Sequence, residues 1–365
     1  MIHEPQRVEA ELPVWRDLED LRPTLDRIRP FTMVPEDWLV DLARQVRAVL
    51  TQGIPGHLVE CGVWRGGAAF LMADLLRQAG VRDRKVWLLD SFEGLPPPEE
   101  IDGPHARRYA RDTASRWYFD NCRASLEEVR RTAEDLGLAP YTEFVKGWFD
   151  QTLPTARERI GPIALLRIDA DWYQSVRCCL EHLYDSVVDG GIVTLDDYYT
   201  YDGCAAAVHE FLGRRCLAHR IETVPAASAS CAYNTVALFC KGATTWQTLQ
   251  RLDQATLDVT SVVPRGETFI LVDQGHLERF VTPGRRRVPF PEHEGQYWGP
   301  PPDDAAAIRE LERLQQAGAS FVVVAWPAFW WLDYYAGFHR HLRARARGVL
   351  ESDCLVIFDL RARPS

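Results

Sequence analysis

Apolar positions along this chain form two kinds of run. Some are short and unalternated, as in Leu58-Val59, Val86-Trp-Leu-Leu89, Ile163-Ala-Leu-Leu166 and Ile192-Val193 with Leu195. Such runs predict parallel strands buried on both faces. Others recur at helical spacing: Leu39, Val40, Leu42, Ala43, Val46 and Leu50 predict a helix over 38–50, opened by Pro35-Glu36-Asp37. Further helices are expected at 68–78, 120–137, 176–188 and 202–214, the one at 176–188 followed by a turn at Asp189-Gly190-Gly191. Strand and helix alternate, so residues 31–243 predict an α/β fold: a Rossmann-like, mostly parallel sheet of seven strands, closed by an antiparallel last strand from the pair 219–224 and 233–241. Residues 1–30, charged and punctuated by proline, predict a loose arm with one short helix near 17–28.

At residue 244 the pattern changes. A polar helix over 244–262 predicts a linker, and 263–365 a second, smaller α/β domain. Its elements are a strand ending at Asp273, a Pro- and Arg-rich loop over 285–302, a helix capped by Asp303, a strand at 320–325, a helix over 329–346 and a strand at 354–360. The run Trp326, Phe329, Trp330, Trp331, Tyr334, Tyr335 is denser in aromatics than one helix face buries. Core packing with a domain interface, and a carbohydrate-type stacking surface, are its two readings.

Charge adds a focus. Two apolar runs end in carboxylates, Asp169 and Asp171 in one, Asp196 and Asp197 in the other. Parallel neighbours share a carboxyl edge, so these acids converge where open α/β sheets bind ligands. Like charges in a crevice need protons or a cation, and oxygen donors select a hard divalent ion such as Mg2+. The first strand ends at Glu60 and leads into Cys61-Gly62-Val-Trp-Arg-Gly66-Gly67, a glycine-rich turn before a helix. A carboxylate there repels a pyrophosphate but suits the ammonium and sulfonium groups of S-adenosylmethionine. Asp90, at the end of the second strand and followed by Ser91, is placed for ribose hydroxyls. Trp148, after Gly147, reads as core or as a platform for adenine. The stretch 104–117 reads as a lid or as a solvated loop, and His209 as structural.

A net charge of −10 gives no general attraction for nucleic acid or anionic lipid, so the expected partner is a small molecule carrying hydroxyl groups. Nine cysteines, an odd number without a C-x-x-C pair, read as reduced core residues of a cytoplasmic protein. No apolar leader opens the chain and no run approaches membrane-spanning length, so no membrane is expected. A homo-oligomer is allowed.

Together, Thr32-Met33, Val59-Glu-Cys-Gly-Val-Trp-Arg-Gly-Gly67, Asp90-Ser-Phe-Glu-Gly-Leu-Pro96, Gly147-Trp-Phe, Leu153-Pro154, Arg167-Ile-Asp-Ala-Asp-Trp-Tyr173 and Asp196-Asp-Tyr198 resemble the macrocin O-methyltransferase family. Its members are class I enzymes, dependent on S-adenosylmethionine and Mg2+, that methylate sugar hydroxyls of antibiotics and related products. The resemblance spans about 29–241. It implies Asp169, Asp196 and Asp197 as metal ligands, Asp171 as general base beside Asp169, and a cofactor set of Glu60, Cys61, Gly62, Gly66, Asp90, Ser91, Trp148, Thr32 and Met33. This chain departs from the family pattern at Ala170, Trp172 and Gln174, where glycine, leucine and glutamate are usual. The last 120 or so residues lie outside the family core and weakly resemble an accessory unit of bacterial sugar-modifying enzymes. Competing readings are a Mg2+-dependent methyltransferase of catechols or phenols, a metal-dependent hydrolase, and a non-catalytic scaffold.

Overall fold

The structure is a computed structural model and describes residues 18–115, 118–225, 235–277 and 280–362. Contacts divide the chain into two compact units, one ending at Leu249 and one starting at Gln250. The first is built on a sheet of seven strands: β1 His57–Cys61, β2 Val86–Asp90, β3 Thr142–Lys146, β4 Ile163–Ile168, β5 Val187–Leu195, β6 Glu222–Pro225 and β7 Thr235–Cys240. Their order is β3-β2-β1-β4-β5-β7-β6; β7 pairs antiparallel with β5 and β6, and the other pairings are parallel.

The unalternated runs follow from two cores. Leu58, Leu88, Leu165 and Ile192 face one core, with Leu39, Val46, Phe70 and Leu75 of the helices Glu36–Thr51 and Gly67–Gln78. Val59, Leu89, Leu166 and Val193, their chain neighbours, face the other, with Leu153, Val176, Leu180 and Val208 of the helices Phe149–Ile160, Tyr173–Leu183 and Asp202–Arg214. Period-two alternation of side chains thus puts the apolar residues of a central strand into one core or the other.

Several expectations are corrected. Residues 18–30 are not a loose arm: the helix Leu18–Ile28 buries Leu21, Leu25 and Ile28 in the first core, and Thr24 Oγ1 donates to Asp74 Oδ2 at 2.6 Å. Residues 1–17 lie outside the described chain, as does the start of the expected strand 233–241. The helix expected at 120–137 is Leu126–Asp135, because Ser125 and Glu128 form a capping box that fixes its start. Asp189-Gly190-Gly191 is no turn but part of β5, where pairing with β4 slips register between Ile163 and Leu165. Glycine accommodates the irregularity, Gly190 lying at φ +81°. The stretch after Pro104 is mostly helix, Gly103–Arg111.

The helix expected over 244–262 is Trp246–Val262, and the division between the units falls within it. The second unit has a five-stranded sheet of β8 Thr268–Val272, β9 Arg286–Pro289, β12 Phe321–Ala325, β13 Arg347–Glu351 and β14 Leu355–Asp359, in the order β13-β14-β12-β8-β9. A small hairpin joins β10 Glu292–His293 to β11 Gln296–Tyr297, so the expected loop 285–302 holds three strands. The helix expected over 329–346 breaks at Tyr335 into Trp331–Tyr334 and Ala336–Arg345. Asp303 caps the helix Asp304–Gln316 as expected, its Oδ1 accepting from Ala306 N at 2.7 Å. Among the described residues no helix is long and apolar enough to cross a membrane.

Candidate active site

The carboxyl edge of β1, β2, β4 and β5 gathers most of the expected site residues. Gly62 leaves β1 at φ +85°, and a β-carbon there would lie 1.7 Å from the carbonyl oxygen of Asp169. Only glycine permits that approach. Asp169 N in turn donates to Cys61 O at 2.8 Å, so the glycine turn and the first acid strand meet backbone to backbone. Gly66, at φ +91°, precedes the helix Gly67–Gln78, and Thr32 packs against Gly67, whose added β-carbon would fall 2.5 Å from the Thr32 β-carbon. Met33 follows, half-buried.

Other expected cofactor residues are engaged with the protein itself. Asp90 Oδ2 accepts from Val63 N at 2.6 Å and Trp64 N at 3.3 Å, and Oδ1 from Phe92 N at 2.6 Å, so this carboxylate ties the glycine turn to its own loop. Ser91 Oγ donates to Gly94 O and accepts from Glu93 N, both at 3.0 Å. Cys61 buries its side chain in the second core. Trp148 is half-buried and caps the helix Phe149–Ile160. Two polar atoms beside the turn, Glu60 Oε2 and Trp64 Nε1, are buried without a hydrogen-bond partner, one an acceptor and one a donor.

Arg167 joins the acids. It is 2% exposed; its Nη1 donates to Glu60 Oε1 and Asp169 Oδ2, both at 2.6 Å, and its Nη2 to Asp196 Oδ1 at 2.5 Å. The acids are grouped differently from the metal set that the family resemblance implies. Carboxylate oxygens of Asp169, Asp171 and Asp197 lie within 4.8 Å of one another, whereas Asp196 is turned to the guanidinium. Asp171 reaches this cluster because its backbone is left-handed, φ +54°, and its N–H donates to Asp197 Oδ2 at 3.1 Å. Three oxygen donors of this kind suit a hard divalent cation.

Burial raises the pKa values here, and mutual repulsion adds to it. Asp171 and Asp197 stand well above the ordinary carboxylate range, Asp171 through burial first and then Asp169 and Asp196, Asp197 through burial first and then Asp171 and Asp169. Asp196 is pushed up to about 7 and Glu60 to about 8, again by burial, with Arg167 pulling both down. Burial also raises Asp90, against its hydrogen bonds from Val63 and Phe92.

A wall closes over the acids. Trp172 is buried; its ring meets Tyr201 at 4.8 Å and Tyr109 at 6.3 Å, and its Nε1 donates to Pro96 O at 2.8 Å. Asp102 pins the preceding segment: Oδ1 accepts from Tyr173 N and Oδ2 from Glu99 N, both at 2.7 Å. Gly103 and Gly203 interlock with it, since added β-carbons would fall 2.2 Å from Asp202 Oδ2 and 2.1 Å from Asp102 Oδ1. This segment is thus anchored over the acids, not a solvated loop. His209 Nε2 lies 2.6 Å from Tyr198 Oη, with the rings stacked.

The macrocin-O-methyltransferase (TylF) family matches residues 17–231, over half of the chain. The chain belongs to this family. A 4'-O-methyltransferase from Streptomyces olivaceus, acting on a dimethoxyrhamnosyl tetracenomycin, is 41% identical over 186 residues, 50% of this chain and 68% of that protein. The demethyldecarbamoylnovobiocin O-methyltransferase of Streptomyces niveus is 40% identical over 196 residues, 53% of this chain and 72% of its own. The solved structure of the O-methyltransferase NovP superimposes with a TM-score of 0.50 at 35% identity, covering 58% of this chain and 83% of that one. Membership makes the chain an O-methyltransferase and sets the hydrolase and scaffold readings aside. Arg167, Asp102 and Trp64 are the residues that sequence reasoning did not single out for the site.

Proposed function

We propose that this enzyme methylates a hydroxyl of a sugar or glycosylated natural product, with S-adenosylmethionine as donor and a hard divalent cation, Mg2+ or its like, at the acids. The observation that carries the reading is the meeting of the glycine turn with the Asp169, Asp171 and Asp197 cluster at one sheet edge. Bound S-adenosylmethionine supplies an electrophilic methyl group, and a bound cation supplies positive charge that lowers the pKa of an alcohol. Glu60 Oε2, buried and unpartnered beside the turn, is suited to accept from an ammonium group. Asp169 and Asp197 are the residues that would hold the cation, with Asp196 fixed behind them by Arg167. With the charge of a bound cation holding it ionised, Asp171 would take the hydroxyl proton as the oxygen bonds to the methyl carbon and the methyl–sulfur bond breaks, leaving S-adenosylhomocysteine. Trp172, Tyr201 and Tyr109 exclude water and present apolar faces to the acceptor. These faces also favour a second reading, a phenolic acceptor.

The enzyme acts on a small molecule in the cytoplasm. A test measures S-adenosylhomocysteine release with rhamnosides, other glycosides and catechols, with Mg2+ or with EDTA, on the wild type, Asp171→Asn and Asp197→Asn. Turnover on a glycoside that needs Mg2+, falls about 100-fold or more in Asp171→Asn, and is lost in Asp197→Asn is expected. Turnover on catechols alone moves the acceptor class to phenols, and full activity of Asp197→Asn in EDTA removes the metal.

A further inference from the structure

The sheet of the second unit changes direction at β8. Strand β9, which follows β8 in sequence, lies on one side of it; β12 lies on the other, and all three run parallel. From β12 the chain goes on to β13 at the far edge and returns as β14 between β13 and β12. The carboxyl ends of β8 and β12 therefore flank a topological switch point, the place where open α/β sheets bind ligands. Three segments emerge there: 273–277 after β8, 290–303 after β9, and 326–335 after β12.

They are tied together. Trp330 Nε1 donates to Gln274 Oε1 at 3.2 Å, directly across the switch point. A β-carbon on Gly275 would fall 3.3 Å from the Tyr297 ring, and His293 packs on Trp298 with ring centroids 4.7 Å apart. Trp331 and Tyr335 are buried, as a core requires, yet Trp298, Tyr334 and Trp330 are 73%, 72% and 42% exposed. Trp330 and Tyr334 meet edge to face at 5.5 Å. Gln274 holds a left-handed backbone, φ +58°, in the turn that leaves β8, a strained non-glycine conformation of the kind kept at ligand sites.

The chemistry narrows the ligand. Segments 273–277, 290–303 and 326–335 contain no lysine or arginine, but they carry Asp273, Glu292, Glu294, Asp303 and Asp333. The guanidinium that reaches this hairpin, Arg313, is taken by Glu292 and Glu310. Phosphate, nucleotide and carboxylate ligands are disfavoured by that charge. Exposed indole and phenol faces edged by an amide and an imidazole match a ring with apolar CH faces and a rim of hydroxyls. We propose that the carboxyl edge of β8 and β12 is a binding site for a neutral pyranose, with Trp298, Trp330 and Tyr334 as stacking faces and Gln274 and His293 as polar contacts. The site lies outside the family's span of the chain and does not depend on the methyl-transfer reading.

The test uses the full chain labelled with 5-fluorotryptophan. Fluorine resonances of Trp298 and Trp330, assigned through Trp298→Phe and Trp330→Phe, are followed during titration with methyl glycosides of L-rhamnose, D-glucose and D-mannose. Both should shift saturably with at least one glycoside at a Kd of about 1–10 mM, Tyr334→Ala should weaken that binding by about three- to tenfold, and inorganic phosphate should leave both in place. The proposal is overturned if neither resonance moves with any glycoside up to about 50 mM, if phosphate moves them equally, or if Tyr334→Ala binds like the wild type. S-adenosylhomocysteine titrated into the same samples reads the methyltransferase unit separately. Its failure to bind alongside a normal glycoside response would sink the methyl-transfer reading and leave this site standing.

Discussion

Replacing Arg167 by methionine tests the electrostatic centre of the methyltransferase unit. The substitution keeps an unbranched apolar stem and removes three charge-assisted hydrogen bonds, to Glu60, Asp169 and Asp196, at 2.5–2.6 Å. It leaves three carboxylates facing one another without the cation that links them, two of them as buried as Arg167 itself or nearly so. Breaking a buried ion pair costs about 3–5 kcal/mol, since the abandoned charge keeps its desolvation penalty. With three partners abandoned, the upper part of that range is expected. In a unit of this size 1 kcal/mol moves Tm by about 2–4 °C, so the unfolding midpoint should fall by roughly 10 °C or more. Arg167→Lys keeps the charge but not the fork that reaches three carboxylates, and should lie between wild type and methionine. Thermal unfolding of the three proteins at pH 8, followed by far-ultraviolet circular dichroism, reads the difference. A loss under about 1 kcal/mol in the methionine variant, or lysine no better than methionine, would show that the acids do not rely on the guanidinium.

Asp41 offers a pH test away from the site. Burial pushes its carboxyl up to about 6, with Oδ2 bonded to Gln45 and Oδ1 left without a partner. Because the folded state holds this proton more tightly than an unfolded aspartate near 3.9, this group's contribution to stability is fullest below about pH 4 and is lost as pH rises through 6, by about 3 kcal/mol. Asp41→Asn should remove that decline and be the more stable protein at pH 8; equal slopes in urea unfolding between pH 4.5 and 8 would contradict it. Asp102→Ala releases the segment over the acids, so acceptor KM should rise roughly tenfold while S-adenosylhomocysteine affinity stays within about twofold. An unchanged KM would mean that the segment takes no part in acceptor binding.

What could be read in the sequence was whatever the chain repeats locally. Strands β1, β2 and β4 announce themselves because burial on both faces leaves mostly apolar residues, and Asp169, Asp171, Asp196 and Asp197 stand out as charges at the ends of such runs. Arg167 was hidden by the same logic: it sits inside an apolar run, and its meaning comes from Glu60, more than a hundred residues earlier in the chain. Asp102 lies in a proline-rich stretch whose order depends on Tyr173 N and Gly203, neither visible locally. The helix Gly103–Arg111 is only nine residues long, opens with Gly-Pro after a proline-rich stretch and offers only Ala106, Tyr109 and Ala110 as apolar positions, too few to signal a helix. In the second unit, β9 reads as loop because three of its four residues are Arg or Pro, yet its backbone pairs with β8.

The interlock of Asp102, Gly103, Asp202 and Gly203 bears on how acceptor choice can change in this lineage. A loop that merely covered a pocket could be exchanged alone, by recombination or by an engineer. Here each segment leaves room for a carboxylate of the other, so a substitution on either side of the pair is accommodated only with a matching change about a hundred residues away. New acceptors should therefore arise mainly through the aromatic positions between these anchors, and a grafted lid should arrive with its own copy of the turn at 202–203.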